Sequence, residues 1–197
     1  YGNLVHYNNF EITCLGNINR LAYETEFHEN CNPTGGFHKM VGINNVGSTS
    51  VPTKNIFSNL VIRNIPGTGM GSWKDTSDSE VYGCLIYNNG YIRHQKVNCS
   101  NNTYEILGKG PGIYTQNRSN KNRRFENNIF HNNYDSGILV WSASTDSTTN
   151  PFIKNYLIKN NIFINNGGPQ RDDTPAIVVN SQSSTNQPEN ININANS

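Results

Sequence analysis

The sequence is poor in the usual material of a globular core. Hydrophobic residues fill 34% of its 197 positions and charged residues only 15%. Disordered tails are typically polar through charge, and here charge is scarce. Long apolar runs are missing too. No stretch approaches the ~20 residues needed to cross a bilayer, so no membrane span is expected. Basic charge is equally thin, with a formal net charge of +1. Its nearest cluster, Lys121, Arg123 and Arg124, reads as a solvated turn, and a nucleic-acid partner would need a broader stripe. There are four cysteines and no C-x-x-C spacing, which argues against zinc. Their even number permits two disulfides in three connectivities, and proximity favours Cys14 with Cys31 and Cys84 with Cys99. The opening Tyr1-Gly2-Asn3 carries neither a start methionine nor a signal peptide. It reads as the beginning of a mature or excised segment of a longer secreted chain, one domain over residues 1–197.

What the chain has in quantity is asparagine, 36 residues of it. They recur in a fixed register: apolar at i, Asn at i+3, apolar at i+5, Asn at i+8. The rows are Ile56, Asn59, Val61, Asn64; Val81, Cys84, Ile86, Asn89; Phe125, Asn128, Phe130, Asn133; and Ile158, Asn161, Phe163, Asn166. A looser copy starts at Val5, and half a copy closes the chain at Ile191 and Asn194. After each row a small residue precedes an alternating run. These runs are Gly69 to Trp73, Gly112 to Gln116, Gly137 to Trp141 and Ala176 to Asn180. Alternation with period two marks strands with one buried face.

A repeat of roughly 20–25 residues is the mark of a solenoid. No single coil can bury its own apolar face, so coils must stack, ~4.8 Å apart. Asparagines Asn59, Asn64, Asn89, Asn128, Asn133, Asn161 and Asn166 are then expected to form a structural ladder, each amide bonded to the next. Asparagine also tolerates the left-handed backbone of tight turns. The expected fold is all-β, a right-handed single-stranded parallel β-helix with loop insertions at about 91–111 and 142–151.

The stretch Asn127-Asn128-Ile129-Phe130-His131-Asn132-Asn133, followed by Gly137-Ile138, resembles the repeat unit of the pectate-lyase-like superfamily. Residues 112–117 are similar to a segment of secreted bacterial β-helix proteins that usually reads Gly-His-Gly-Ile-Tyr. Here Gly110-Pro111-Gly112 stands in that place, with Pro111 where the histidine would be. The resemblance implies a parallel β-helix and, for a lyase, a Ca2+ ion. The superfamily spans lyases, hydrolases, tail-spikes and adhesins, so it does not by itself imply one activity.

If Met70, Ile113, Ile138 and Ile177 point inward, Trp73, Tyr114, Gln116 and Trp141 share one outer face. Rings stack on the C–H faces of sugars while side-chain amides bond hydroxyls, which makes these four a candidate carbohydrate-binding platform. The competing expectation is that the insertions cover them as a satellite core. Chemistry is harder to find. His131 as base with Tyr134 or Tyr114 as acid, and Asp135 facing Asp75 or Asp78, are the candidate catalytic groups. Asp75 and Asp78 read as a turn after Trp73, Glu80 lies nearby, Asp172-Asp173 reads as a solvated loop, and His94, beside Arg93 in the first insertion, reads as exposed. No cofactor and no metal cluster are expected from the residues themselves.

The expected function is that of an extracellular or cell-surface β-helix that binds a polysaccharide or glycan, with cleavage as lyase or hydrolase left open. The alternative is a non-catalytic structural, adhesive or filament-forming solenoid that self-associates end to end.

Overall fold

Short alternating runs stopped by asparagine or glycine are too brief for helices and long enough for strands. The computed structural model describes residues 3–13, 41–46, 53–73, 78–98, 103–117, 121–142, 153–167, 175–181 and 187–197. The first coil holds β1 (Asn3–Asn8), β2 (Glu11–Thr13) and β3 (Val41–Val46), and the second β4 (Thr53–Ser58), β5 (Val61–Arg63) and β6 (Thr68–Trp73). In the third, β7 (Asp78–Tyr82) and β8 (Leu85–Tyr87) are followed by an antiparallel hairpin, β9 (Tyr91–Asn98) with β10 (Thr103–Lys109), and then β11 (Ile113–Thr115). The fourth holds β12 (Arg123–Glu126), β13 (Ile129–His131) and β14 (Ile138–Ser142). The fifth holds β15 (Lys154–Lys159), β16 (Ile162–Ile164) and β17 (Ile177–Ser181), and β18 (Glu189–Asn194) opens the next.

Corresponding strands pair in parallel from coil to coil. Sheet I runs β1-β4-β7-β12-β15-β18, sheet II β2-β5-β8-β13-β16, and sheet III β3-β6-β11-β14-β17. The chain is a right-handed parallel β-helix. The hairpin falls within residues 91–111, and residues 143–151 of the second expected insertion lie outside those described. Among the described residues no helix is long and apolar enough to cross a membrane.

The lumen is apolar where sheets I and II meet. Ile62, Ile86 and Phe130 line sheet II, and Phe57, Val81, Phe125 and Ile158 line sheet I, all buried. The rings of Phe130 and Phe163 stack at 4.9 Å, 7° from parallel. Each such side chain contributes roughly 1.5–3 kcal/mol by leaving water. The side between sheets I and III is polar instead. Asn55 Nδ2 donates to Asn45 Oδ1 at 2.7 Å, and Asn45 Nδ2 reaches Ser72 and Ser79. Tyr156 spans the lumen, its hydroxyl 3.2 Å from Thr115 Oγ1.

Arg123 belongs to this interior, which corrects the solvated turn expected for it. The pairing of β12 with β7 and β15 sets Arg123 between Ser79 and Tyr156 on the inner face, where it is fully buried. Burial pushes its guanidinium down to about 10, so it stays charged at neutral pH.

Asparagine holds the turns in two ways. At Asn88-Asn89, Asn127-Asn128, Asn132-Asn133, Asn160-Asn161 and Asn165-Asn166 the first residue takes φ between 48° and 56°, the left-handed region. The second turns its amide into a ladder. Asn128 Nδ2 donates to Asn161 Oδ1 at 2.9 Å and Asn161 Nδ2 to Asn196 Oδ1 at 3.0 Å. One turn further on, Asn89 bonds Asn133 at 3.0 Å and Asn133 bonds Asn166 at 2.8 Å.

Asn59 and Asn64 are not rungs of these ladders, contrary to expectation. They adopt φ of 54° and 57°, and Leu60 and Ile65 stand at the ladder positions. The row is therefore Phe57, Leu60, Ile62, Ile65, one residue later than the asparagine spacing suggests. A one-residue slip would exchange inner and outer faces, and burial of Phe57 and Ile62 decides the register. In the same way the first coil aligns Tyr7 with Phe57, and the last places Asn196, not Asn194, on the ladder.

Cys84 is a free, buried thiol, so the Cys84–Cys99 disulfide is excluded. Cys14, Cys31 and Cys99 themselves lie outside the described residues. Cys84 occupies a ladder position: its Sγ receives the Leu60 amide at 3.5 Å and faces Phe57 O at 3.7 Å, while Asn128 Oδ1 accepts its own N–H. Burial pushes the thiol up to about 11. Cys84→Asn should replace two long sulfur contacts by ordinary hydrogen bonds and raise stability by about 1 kcal/mol in urea unfolding. A lower midpoint for the variant would show that the rung cannot accept an amide.

Candidate functional site

The outer face of sheet III is built by the same alternation that fills the lumen. Its small leading residues are required by space: a Cβ on Gly112 would lie 2.7 Å from the carbonyl oxygen of Gly137. From there the strands stay in register, Met70, Ile113, Ile138 and Ile177 at one level and Gly71, Tyr114, Leu139 and Val178 at the next. Tyr114 and Trp141 are both half-buried, and their rings approach to 6.3 Å between centroids, tilted by 53°. Gln116 is buried at 4% exposure, with Nε2 donating to the Tyr114 hydroxyl at 3.0 Å. Among the described residues its Oε1 accepts no hydrogen bond. Asn180, paired with Trp141 across β17, is exposed and continues the column. Trp73 ends β6 on the same sheet, and its side chain lies outside the description.

The candidate catalytic groups are not gathered. His131 is on the outer face of sheet II, aligned with Tyr87 and Ile164. Its neighbour beyond Tyr87 is Arg63, not Ile62, because of the register slip in that row. Tyr114 faces outward from sheet III. Asp135 sits in the turn between these two sheets, its carboxylate accepting the Ser136 amide at 3.0 Å. Asp78 and Glu80 lie on strand β7 of sheet I instead of a turn beside Trp73, and Asp78 Oδ1 accepts the Asn122 N–H at 2.7 Å. Asp75, Asp172 and Asp173 lie outside the described residues, as does the side chain of His94. Among the described residues no three His, Cys, Asp or Glu side chains converge.

A feature missed in the sequence is a groove of about 580 Å3 on the outer face of sheet I, away from the aromatic pair. It is made where Asn155 and Asn190 break the extended backbone with φ of 55° and 53°. Positive φ at one position in successive coils cannot be read from residue type alone, although Lys154-Asn155 and Glu189-Asn190 place a turn-favouring residue inside otherwise good strands.

Stacked parallel coils, asparagine-bonded turns and an enclosed lumen define the class: a right-handed β-helix. A family model described as "Right handed beta helix region" matches residues 28–157, and the chain belongs to that family. Neither the curated proteins nor the solved structures hold a match to it.

Proposed function

We propose that the chain is a secreted, extracellular glycan-binding β-helix of pectate-lyase-like type, whose ligand lies on the outer face of sheet III. The observation that carries this is the pairing of Tyr114 with Trp141 on adjacent coils, both rings partly open to solvent. Tilted rings 6.3 Å apart offer apolar surface to the C–H faces of successive sugar units. Gln116 fixes the Tyr114 hydroxyl, and Asn180 adds an exposed amide beside Trp141. Binding is favoured over cleavage because His131, Asp135 and Tyr114 sit on two different sheets and the turn between them.

The test is electrophoresis in gels cast with plant, algal and bacterial polysaccharides. At least one should retard the wild-type chain, and Trp141→Ala should weaken that interaction by about 1–1.5 kcal/mol, roughly tenfold. Equal retardation of wild type and Trp141→Ala by every retained polysaccharide would remove the platform, and no retardation at all would leave the structural solenoid.

A further inference from the structure

We infer that the groove on sheet I is a second ligand site, built for a neutral hydroxyl-rich chain lying along the solenoid axis. It goes beyond the platform on sheet III and shares with it only the class of ligand.

The groove runs across the strands because successive coils contribute residues at the same two levels. It starts at Lys54 on β4, passes Asp78 and Glu80 on β7, and ends at Asn190 and Asn192 on β18. These are five successive strands of sheet I, so the groove spans roughly 20 Å at ~4.8 Å per strand. A site of that shape suits an extended polymer better than a compact small molecule. A pyranose unit in an extended chain is about as long as one strand spacing, so each unit meets an equivalent set of side chains.

The chemistry of the lining selects for hydroxyls. Asn122, Asn155 and Asn190 stand at one level of adjacent strands, and Asn190 Nδ2 donates to Asn155 Oδ1 at 2.8 Å, which orients both amides. An amide presents donors and an acceptor in one plane, matching a hydroxyl that both gives and accepts. At the other level Arg124, Leu157 and Asn192 succeed one another, so an apolar patch lies between two polar ones. That alternation fits a sugar, which shows C–H surface between its hydroxyls.

Charge argues for neutrality. Lys54 Nζ is 2.9 Å from Glu80, Arg124 Nη2 is 2.8 Å from Glu126, and Arg124 Nη1 is 4.0 Å from Glu80. With Asp78 and the inward Arg123 counted, and Glu126 at the edge of the groove, three cations stand against three carboxylates, so a polyanion is not drawn in by the field. The same ion pairs hold their members in place to make charge-assisted hydrogen bonds with neutral hydroxyls.

The experiment separates the two sites by their reporters. Both tryptophans, Trp73 and Trp141, belong to strands of sheet III, so tryptophan fluorescence follows that face alone and calorimetry follows both. The probes are cello-, xylo-, manno- and maltohexaose, with hexagalacturonate as the charged comparison. At least one neutral probe should release heat on the Trp141→Ala chain without altering its fluorescence. That heat should persist within about twofold between about 0.05 and about 0.5 M salt. The double variant Arg124→Ala/Asn192→Ala, on two exposed side chains, should lose affinity at least about tenfold while melting with the parent. The inference is overturned if Trp141→Ala gives no heat with any neutral probe, if the double variant binds as before, or if hexagalacturonate binds more tightly than the neutral chains. Failure of the sheet III platform reads differently, as unchanged fluorescence of the wild type with every probe.

Discussion

Asn161→Ala is expected to cost about 3–5 kcal/mol, because it strips several buried groups at once. The side chain of Asn161 makes four hydrogen bonds. Its Oδ1 accepts from the backbone N–H of Asn128 at 3.0 Å and from Asn128 Nδ2 at 2.9 Å. Its Nδ2 donates to Phe125 O at 2.8 Å and to Asn196 Oδ1 at 3.0 Å. Alanine leaves the Asn128 N–H with no partner in a site that excludes water, since Asn128 and Asn161 are both buried, and it strips the Phe125 carbonyl of its side-chain donor. One orphaned backbone N–H at about 1–3 kcal/mol and three further lost hydrogen bonds at about 0.5–1.5 kcal/mol each account for the estimate. The neighbouring residue is the control. Asn160 has φ of 55° and is exposed, so its role is conformational, and Asn160→Gly should stay within about 0.5 kcal/mol of wild type. Urea midpoints of the two variants measure the contrast. Similar losses in both would mean that the turn, not the ladder, carries the stability.

That contrast also explains which parts of the fold were legible in the sequence. Strand identity and the stacking of sheet III follow from the small residue before each run, which recurs at the same place in successive coils where only a small residue fits against the next coil. The ladders at Asn128, Asn133, Asn161 and Asn166 follow from the repeat. The slip at Asn59 and Asn64 arises because asparagine does two adjacent jobs and the second coil retains only the first of them. An alignment on asparagine alone cannot tell a left-handed Asn59 from a laddered Asn161, whereas the apolar partner Phe57 can. The same ambiguity hid Cys84: a small, weakly polar residue can fill a rung, so the position already explains the cysteine without a disulfide. Arg123 was illegible for a different reason. A charged side chain in a strand is ordinarily an outward one, and only the polar seam of Asn45, Asn55, Ser79 and Tyr156 makes the inward orientation tolerable.

Functional surfaces were legible in proportion to how far they depend on register alone. Tyr114, Gln116 and Trp141 were placed together because their strands share one pattern from coil to coil. The groove of sheet I depends on backbone angles at Asn155 and Asn190 and on ion pairs between coils, neither of which has a periodic signal. His131 and Asp135 failed to join Tyr114 because a coil turns between sheets, so proximity along the chain within one coil separates side chains by facing them in different directions.

Tyr156 makes the polar seam testable through pH. Its phenol is buried, and burial pushes it up to about 12, with the nearby Arg123 charge and the Thr115 hydrogen bond pulling the other way. In the unfolded chain a tyrosine titrates near 10. The folded state therefore keeps this proton where the unfolded state releases it. The resulting stability is complete below about pH 10 and is lost as pH rises through about 12, a decline of about 2–3 kcal/mol. Tyr156→Phe removes the group, and its own profile has no such decline. Near pH 8 the variant should be less stable by about 1 kcal/mol, since Thr115 Oγ1 loses its 3.2 Å partner. Near pH 12 the order should reverse, with phenylalanine the more stable by about 1–2 kcal/mol. Arg123 is present in both chains, so the direct effect of its burial cancels in the difference. Parallel urea titrations of the two chains at pH 8, 10 and 12 decide the matter: curves that never cross would place the Tyr156 hydroxyl in contact with water and open the seam to solvent.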